Sequence, residues 1–318
     1  MKKWLSLFIV AVSVFGLVSG CKKPQKKLRF AIVPKMRDNP VFNYAKIAAE
    51  KRAKELGGIE IVWRGPEEAD PAKQASIIEA LVSERVDGIS VSCNEPNALA
   101  GAINQAVDRG IPIMTFDSDS PKSKRKYFYG THDQKSGELL GREMARLING
   151  KGRICILSGY QGAFNLENRI KGAKSYLAKN NPGIKIERTY YCNDDAAEAI
   201  RMIESHMNKD RTLNGWLMVG GWPLFASDGL KAIDPSKTKV VAFDALEAEW
   251  PYIDNGQCQA LVAQNIWGWG YESVNILKAI IDNKPVTADS NNFIEAPVEL
   301  VTKENIAEYK KSWKERFQ

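Results

Sequence analysis

From residue 28 onward the hydrophobic pattern alternates between short apolar runs and longer amphipathic stretches. LRFAIVPK (28–35) is nearly continuous in apolar side chains, as a strand covered on both faces requires. Residues 40–57 carry the helical period and stop at Gly57-Gly58. IEIVWRG (59–65) reads as a second strand. Asp70-Pro71 then opens a helix, the acid as N-cap and the proline in the first turn, with Ile77, Ile78, Leu81 and Val82 on its apolar face. DGISVSC (87–93) is the third strand. A helix facing inward with Leu99, Ile103, Ala106 and Val107 ends at Gly110, and IPIMTFD (111–117) is the fourth strand.

The pattern then restarts. A helix spans roughly 134–149, RICILSG (153–159) is a strand, and Leu166, Ile170, Ala173 and Leu177 mark the next helix face. IKIERTYY, GWLMVGG, KVVAFDA and QALVAQN follow as strands separated by helices, and a long helix covers about 268–282. NNFIEAPVELVTKEN (291–305) reads as an extended crossing segment before a short terminal helix. Alternating strands and helices imply parallel sheets with right-handed crossovers. Roughly eleven strands are too many for one small sheet, so two doubly wound α/β domains are expected. A single (β/α)8 barrel of similar length is the alternative that periodicity leaves open.

The first twenty-odd residues do not belong to this pattern. Lys2 and Lys3 precede an uncharged run, Trp4 to Val18, and small Ser19 and Gly20 precede Cys21. This reads as an export signal over 1–20, shorter and less purely apolar than a membrane span. The ending LVSGC resembles the lipobox of bacterial lipoproteins, which implies that Cys21 is lipidated and becomes the new N-terminus. The bland alternative is an anchoring helix with a chance cysteine. Residues 21–27 would then be a basic tether whose lysines suit an anionic membrane surface. Several acyl chains are needed for a firm anchor, since one binds membranes only marginally.

Composition is that of an ordinary globular protein: 318 residues, 44% hydrophobic and 26% charged, enough chain for two domains. The net charge of +7 is mild and its basic residues are scattered, which gives little support to nucleic-acid binding. Cys93, Cys155, Cys192 and Cys258 form no CxxC pair, and no histidine stands beside them at ligand spacing. Buried free thiols are the default reading, although an exported chain could oxidise a pair. Only two histidines, His132 and His206, and the absence of HExxH, GxSxG, Walker A and GxGxxG motifs argue against an enzyme, a metal or a cofactor, although single carboxylates could still act as acid and base.

What chemistry the chain does offer sits at strand ends. The first strand leads to Asn39 and Phe42, the third to Asn94, the fourth to Asp117; KVVAFDA delivers Asp244 and QALVAQN delivers Gln264. RICILSG leads to a helix bearing Arg169. In open α/β sheets these ends converge on one crevice. Carboxylates, amides and a guanidinium with aromatics between them suit a hydroxyl-rich ligand, whose hydroxyls both donate and accept and whose C–H face is apolar. Helix capping is the competing account of Asn94, Asp117 and Asp244.

The pieces DNPVF, SVSCNEPNAL, IPIMTFDSD, NRIKGA, VVAFDA and ALVAQN, in this order over residues 28 to about 302, resemble the type I periplasmic solute-binding proteins of the ribose-binding kind. The resemblance implies two lobes, 28–131 with 266–296 and 132–265 with 297–318, joined by a three-segment hinge that closes over a sugar. It implies Asn39, Phe42, Asn94, Asp117, Arg169, Asp244 and Gln264 in the pocket, a monomer, and delivery to ABC permease subunits or to a chemosensor. VPK followed by NPVF is more similar to the rhamnose-binding and furanosyl autoinducer-binding branch, which adds Lys35; a solvated lysine is its other reading. Three positions depart from the ribose pattern. Ser118 stands where an arginine is expected and Asp194 where an aromatic is, and GWLMVGG runs into Gly221-Trp222 where Asn-Asp is frequent. Trp222 either replaces the lost aromatic wall or packs in the core. Trp267 and Trp269 are expected to pack near the hinge.

Overall fold

The structure is a computed structural model and describes residues 27–317. The expected export signal and Cys21 lie outside the described residues. The strands form two separate six-stranded sheets, so the barrel alternative is excluded. In the first sheet the strands lie in the order 293–295, 128–130, 113–116, 88–91, 28–33 and 59–63, and in the second 299–301, 260–263, 239–244, 215–218, 151–158 and 183–191.

In the first lobe, β1 (Leu28–Val33), β2 (Ile59–Trp63), β3 (Gly88–Val91) and β4 (Ile113–Phe116) are parallel, with α1 (Pro40–Leu56), α2 (Pro71–Ser83) and α3 (Pro96–Asp108) as crossovers. β3 and β4 are buried at every residue, which accounts for their unbroken apolar runs. The strand β5 (Phe128–Gly130) adds to β4, and β11 (Phe293–Glu295) adds to β5. At three residues, β5 is too short to carry a period of its own. Each of α1, α2 and α3 begins with a proline behind a polar cap: Asn39, Asp70 and Glu95 accept from the first free backbone N–H groups.

In the second lobe, β6 (Lys151–Ser158), β7 (Gly183–Tyr191), β8 (Gly215–Met218), β9 (Lys239–Asp244) and β10 (Ala260–Ala263) are parallel, and β12 (Glu299–Val301) pairs antiparallel with β10. Its helices include α4 (Asp133–Leu147), α5 (Phe164–Asn180), α6 (Ala196–Lys209) and the single-turn α7 (Trp250–Asp254). The chain passes between sheets three times: after β5 at Thr131-His132, after β10 at Gln264-Asn265, and after β11 at Ala296 to Val298. The helix α8 (Ile266–Ile281) therefore returns to the first lobe, where Gly270 crosses α1 so closely that a Cβ would lie 1.8 Å from the Ala45 carbonyl oxygen. Gly137 and Gly172 permit a similar approach of α4 to α5. The terminal α9 (Ile306–Phe317) touches both lobes: Trp313 packs edge-on against Tyr44 of α1 and against Trp250 of α7.

Candidate functional site

The C-terminal ends of both sheets face a small cavity of about 40 Å³. Lys35, Asn39, Phe42 and Asp117 reach it from the first lobe, and Asn165, Arg169, Asp194, Trp222 and Asp244 from the second. Gln264, at the second crossing, and Trp269, on the first turn of α8, complete its walls. All of these polar side chains are buried.

They are bonded to one another across the lobes. The ammonium of Lys35, at the exit of β1, donates to Asn165 Oδ1 at 2.7 Å and lies 3.6 Å from Asp117 Oδ2. Asp117 also accepts from Asn165 Nδ2 at 2.9 Å and from the Ser92 hydroxyl at 2.6 Å. Lys35 is thus not solvated; a first-lobe cation is held by second-lobe α5. Arg169, 2% exposed, donates to Asp133 Oδ1 (2.9 Å), the Val219 carbonyl (3.0 Å) and Gln264 Oε1 (2.7 Å). Its guanidinium also lies 3.9 Å above the Phe243 ring. Gln264 in turn donates to Asp244 Oδ1 at 2.6 Å, and the Gly221 amide donates to Asp244 Oδ2 at 3.1 Å. Strand ends, α4, α5 and a hinge crossing share one network.

Burial dominates the electrostatics. It raises the Asp133 carboxyl to about 6 against the pull of Arg169, and pushes Asp194 and Asp244 above the usual carboxylate range. The apolar wall is Phe42, edge-on to Phe116 at 6.1 Å and tilted against Trp269 at 5.8 Å, with Trp222 opposite. Trp222 therefore packs and lines the cavity at once.

Capping does not explain Asp117 or Asp244. Both adopt left-handed backbone, φ 55° and 92°, and neither starts an α-helix. Such backbone costs roughly 1–3 kcal/mol and clusters at functional sites. Asn94 differs from expectation. Glu95 caps α3, and Asn94 sits behind the cavity wall, where its amide donates to the Lys35 carbonyl at 2.9 Å and its Oδ1 is unpartnered. Trp269, expected only to pack, is also a wall residue, whereas Trp267 stacks on Tyr271 away from the cavity. Sequence reasoning did not place Asn165 or Asp133 in the site, and it marked Asp194 only as standing where the ribose pattern has an aromatic.

His132 stands at the first crossing, its Nε2 3.6 Å from Glu295 on the strand before the third. The four thiols are free and buried. Sequence spacing puts no histidine beside them, yet the fold brings His206 of α6 to 3.8 Å from Cys155 on β6, near Glu187; that carboxylate is held by Arg153 at 2.5 Å. No helix among the described residues is long and apolar enough to cross a membrane.

Residues 30–285 match the model of the periplasmic binding protein domain. The chain belongs to this family. Within it, the ribose-binding type I branch is the one represented among its relatives. A D-ribose/D-allose-binding protein of Pseudomonas aeruginosa is 23% identical, over 87% of this chain and 89% of that protein. A ribose import binding protein of Escherichia coli is 20% identical over 91% and 95%. An ABC transporter solute-binding protein from Burkholderia graminis, solved in complex with D-arabinose, is 32% identical with a TM-score of 0.83, covering 90% of this chain and 99% of that one. This is the sugar-binding solute-receptor family of ABC transporters, whose members here bind rather than catalyse.

Proposed function

We propose that this periplasmic binding protein is the lipid-anchored receptor of an ABC importer, and that it takes one monosaccharide between its lobes and closes over it about the three crossings. The observation that carries the reading is the cavity itself. It presents amides and carboxylates to hydroxyls, and aromatic faces to a C–H surface. Asn39, Phe42, Asp117, Asp244 and Gln264 are the proposed contacts, with Lys35, Arg169 and Trp222 beside them; Asn94 acts from behind through the Lys35 carbonyl. Ser118 and Asp194 argue for a sugar other than ribose. The sequence of residues 1–21 supports export and acylation of Cys21, and partner permease subunits follow from the family. Lys35 in the wall favours one second reading, a furanosyl autoinducer or similar small polar solute that feeds import or chemosensing.

The test is thermal melting of protein lacking residues 1–21 against pentoses, hexoses, deoxyhexoses and polyols. A ligand at a hundred times its dissociation constant adds about 2.7 kcal/mol to stability. An upward shift with one sugar is expected. No shift across the whole panel would refute a neutral monosaccharide as the ligand and move the second reading ahead.

A further inference from the structure

Asp194 caps no helix, and only the Tyr160 amide and the Trp222 indole act as donors on its carboxyl. It follows β7 in left-handed backbone, φ 61°, beside Asn193 at φ 52°, and is 8% exposed. The acid that starts α6 is its neighbour Asp195, which accepts from the Glu198 amide at 2.7 Å. The carboxyl of Asp194 faces the cavity, and its Oδ2 has no hydrogen-bond partner. Space is kept open for it: a Cβ at Gly159 would lie 2.1 Å from Asp194 Oδ1 and 2.5 Å from the Trp222 ring. A buried carboxylate oxygen left unpaired carries its desolvation penalty uncompensated, so a group that supplies a donor there would bind with that penalty relieved.

The charges around the cavity sharpen what that donor is. Two cations, Lys35 and Arg169, are matched by Asp117 at 3.6 Å and Asp133 at 2.9 Å. Asp194 and Asp244 are buried at the same cavity and have no cation within 4.0 Å among the described residues. Asp244 is satisfied by neutral donors, Gln264 and the Gly221 amide. Asp194 is not. A neutral hydroxyl would give it one hydrogen bond and leave the excess of negative charge in place. An ammonium gives it a charge-assisted bond, the stronger kind, and removes the excess.

We propose that Asp194 is a specificity-determining residue and that the preferred ligand is an aminated sugar or alditol whose ammonium group it receives. This rests on the cleft being a sugar site. The experiment compares matched pairs by calorimetry near pH 7: 2-amino-2-deoxyhexoses and 1-amino-1-deoxyalditols against their hydroxyl counterparts, with the N-acetyl forms as neutral nitrogen controls. At least one amine is expected to bind tenfold or more tighter than its hydroxyl and N-acetyl partners, and Asp194→Asn to abolish that margin. Wild-type data alone decide the case if the variant does not fold. Neutral sugars that bind as tightly as their amines would overturn the amine inference while the sugar reading stands. A cooperative melt with no binding by any member, neutral or aminated, would overturn both.

Discussion

Arg169→Met preserves a long apolar stem and deletes the guanidinium. Three hydrogen bonds go with it, to Asp133, Val219 and Gln264, and Asp133 is left buried without its cation. Removing one member of a buried ion pair costs about 3–5 kcal/mol. The cost has a pH signature. Asp133 has a native pKa of about 6, above its unfolded value of about 3.9, so the native state holds this proton longer. Stability from this group is therefore lost as pH rises through that window, and in the wild type the loss ends near pH 6. Without Arg169 only the Thr131 hydroxyl, 3.0 Å from Asp133 Oδ1, pulls the carboxyl down, and the loss continues above pH 6. Urea unfolding of ligand-free protein, followed by circular dichroism, should show about 1–2 kcal/mol of destabilisation near pH 5, where only hydrogen bonds are missing. Near pH 8 it should show about 3–5 kcal/mol. Equal destabilisation at the two pH values, or under about 1 kcal/mol at the higher one, would refute the ion-pair account.

Asp117→Asn and Asp244→Asn should each weaken sugar binding about 10- to 100-fold, since each loses a charged acceptor worth about 1.5–3 kcal/mol; calorimetry that finds unchanged affinity in both would remove them from the site. Gly270→Ala should cost at least about 1–3 kcal/mol, because its Cβ would meet the Ala45 carbonyl oxygen at 1.8 Å. Gly101→Ala, with open space around the new methyl inside α3, should gain about 0.5–1 kcal/mol in the same melts. Burial raises the Cys155 thiol to about 12 and lifts Cys93, Cys192 and Cys258 as well, so the native protein lacking residues 1–21 should not react with Ellman's reagent at pH 8, and all four thiols should react in denaturant.

Much of the site could be read from the chain because its strands are covered on both faces. Every residue of β4 is buried, and every residue of β9 after Lys239, so the acid at the strand's exit, Asp117 or Asp244, marks the crevice. Asp194 carries no such mark: it lies between Asn193 and Asp195, and only the fold shows which acid caps and which points inward. Asn165 looks like an ordinary polar residue at a helix start until Lys35 arrives from 130 positions away. Trp269 satisfies the helical period of α8 and the cavity together, and periodicity reports only the first. The converse error is Asn94, which obeys the strand-end rule but is spent on a backbone carbonyl behind the wall. Cys155 and His206 meet only because α6 lies over the sheet, a relation that spacing along the chain cannot encode.

The terminal helix gives the molecule an optical gauge. The Trp313 ring sits 5.0 Å from Tyr44 on one lobe and 6.1 Å from Trp250 on the other. If the lobes part, one of those ring contacts must lengthen. Emission from Trp313, fed by Tyr44 and perturbed by Trp250, would then change with no dye attached. Opening and closing could be followed in a stopped-flow cuvette by exciting the native protein, and Tyr44→Phe would silence one side of the signal.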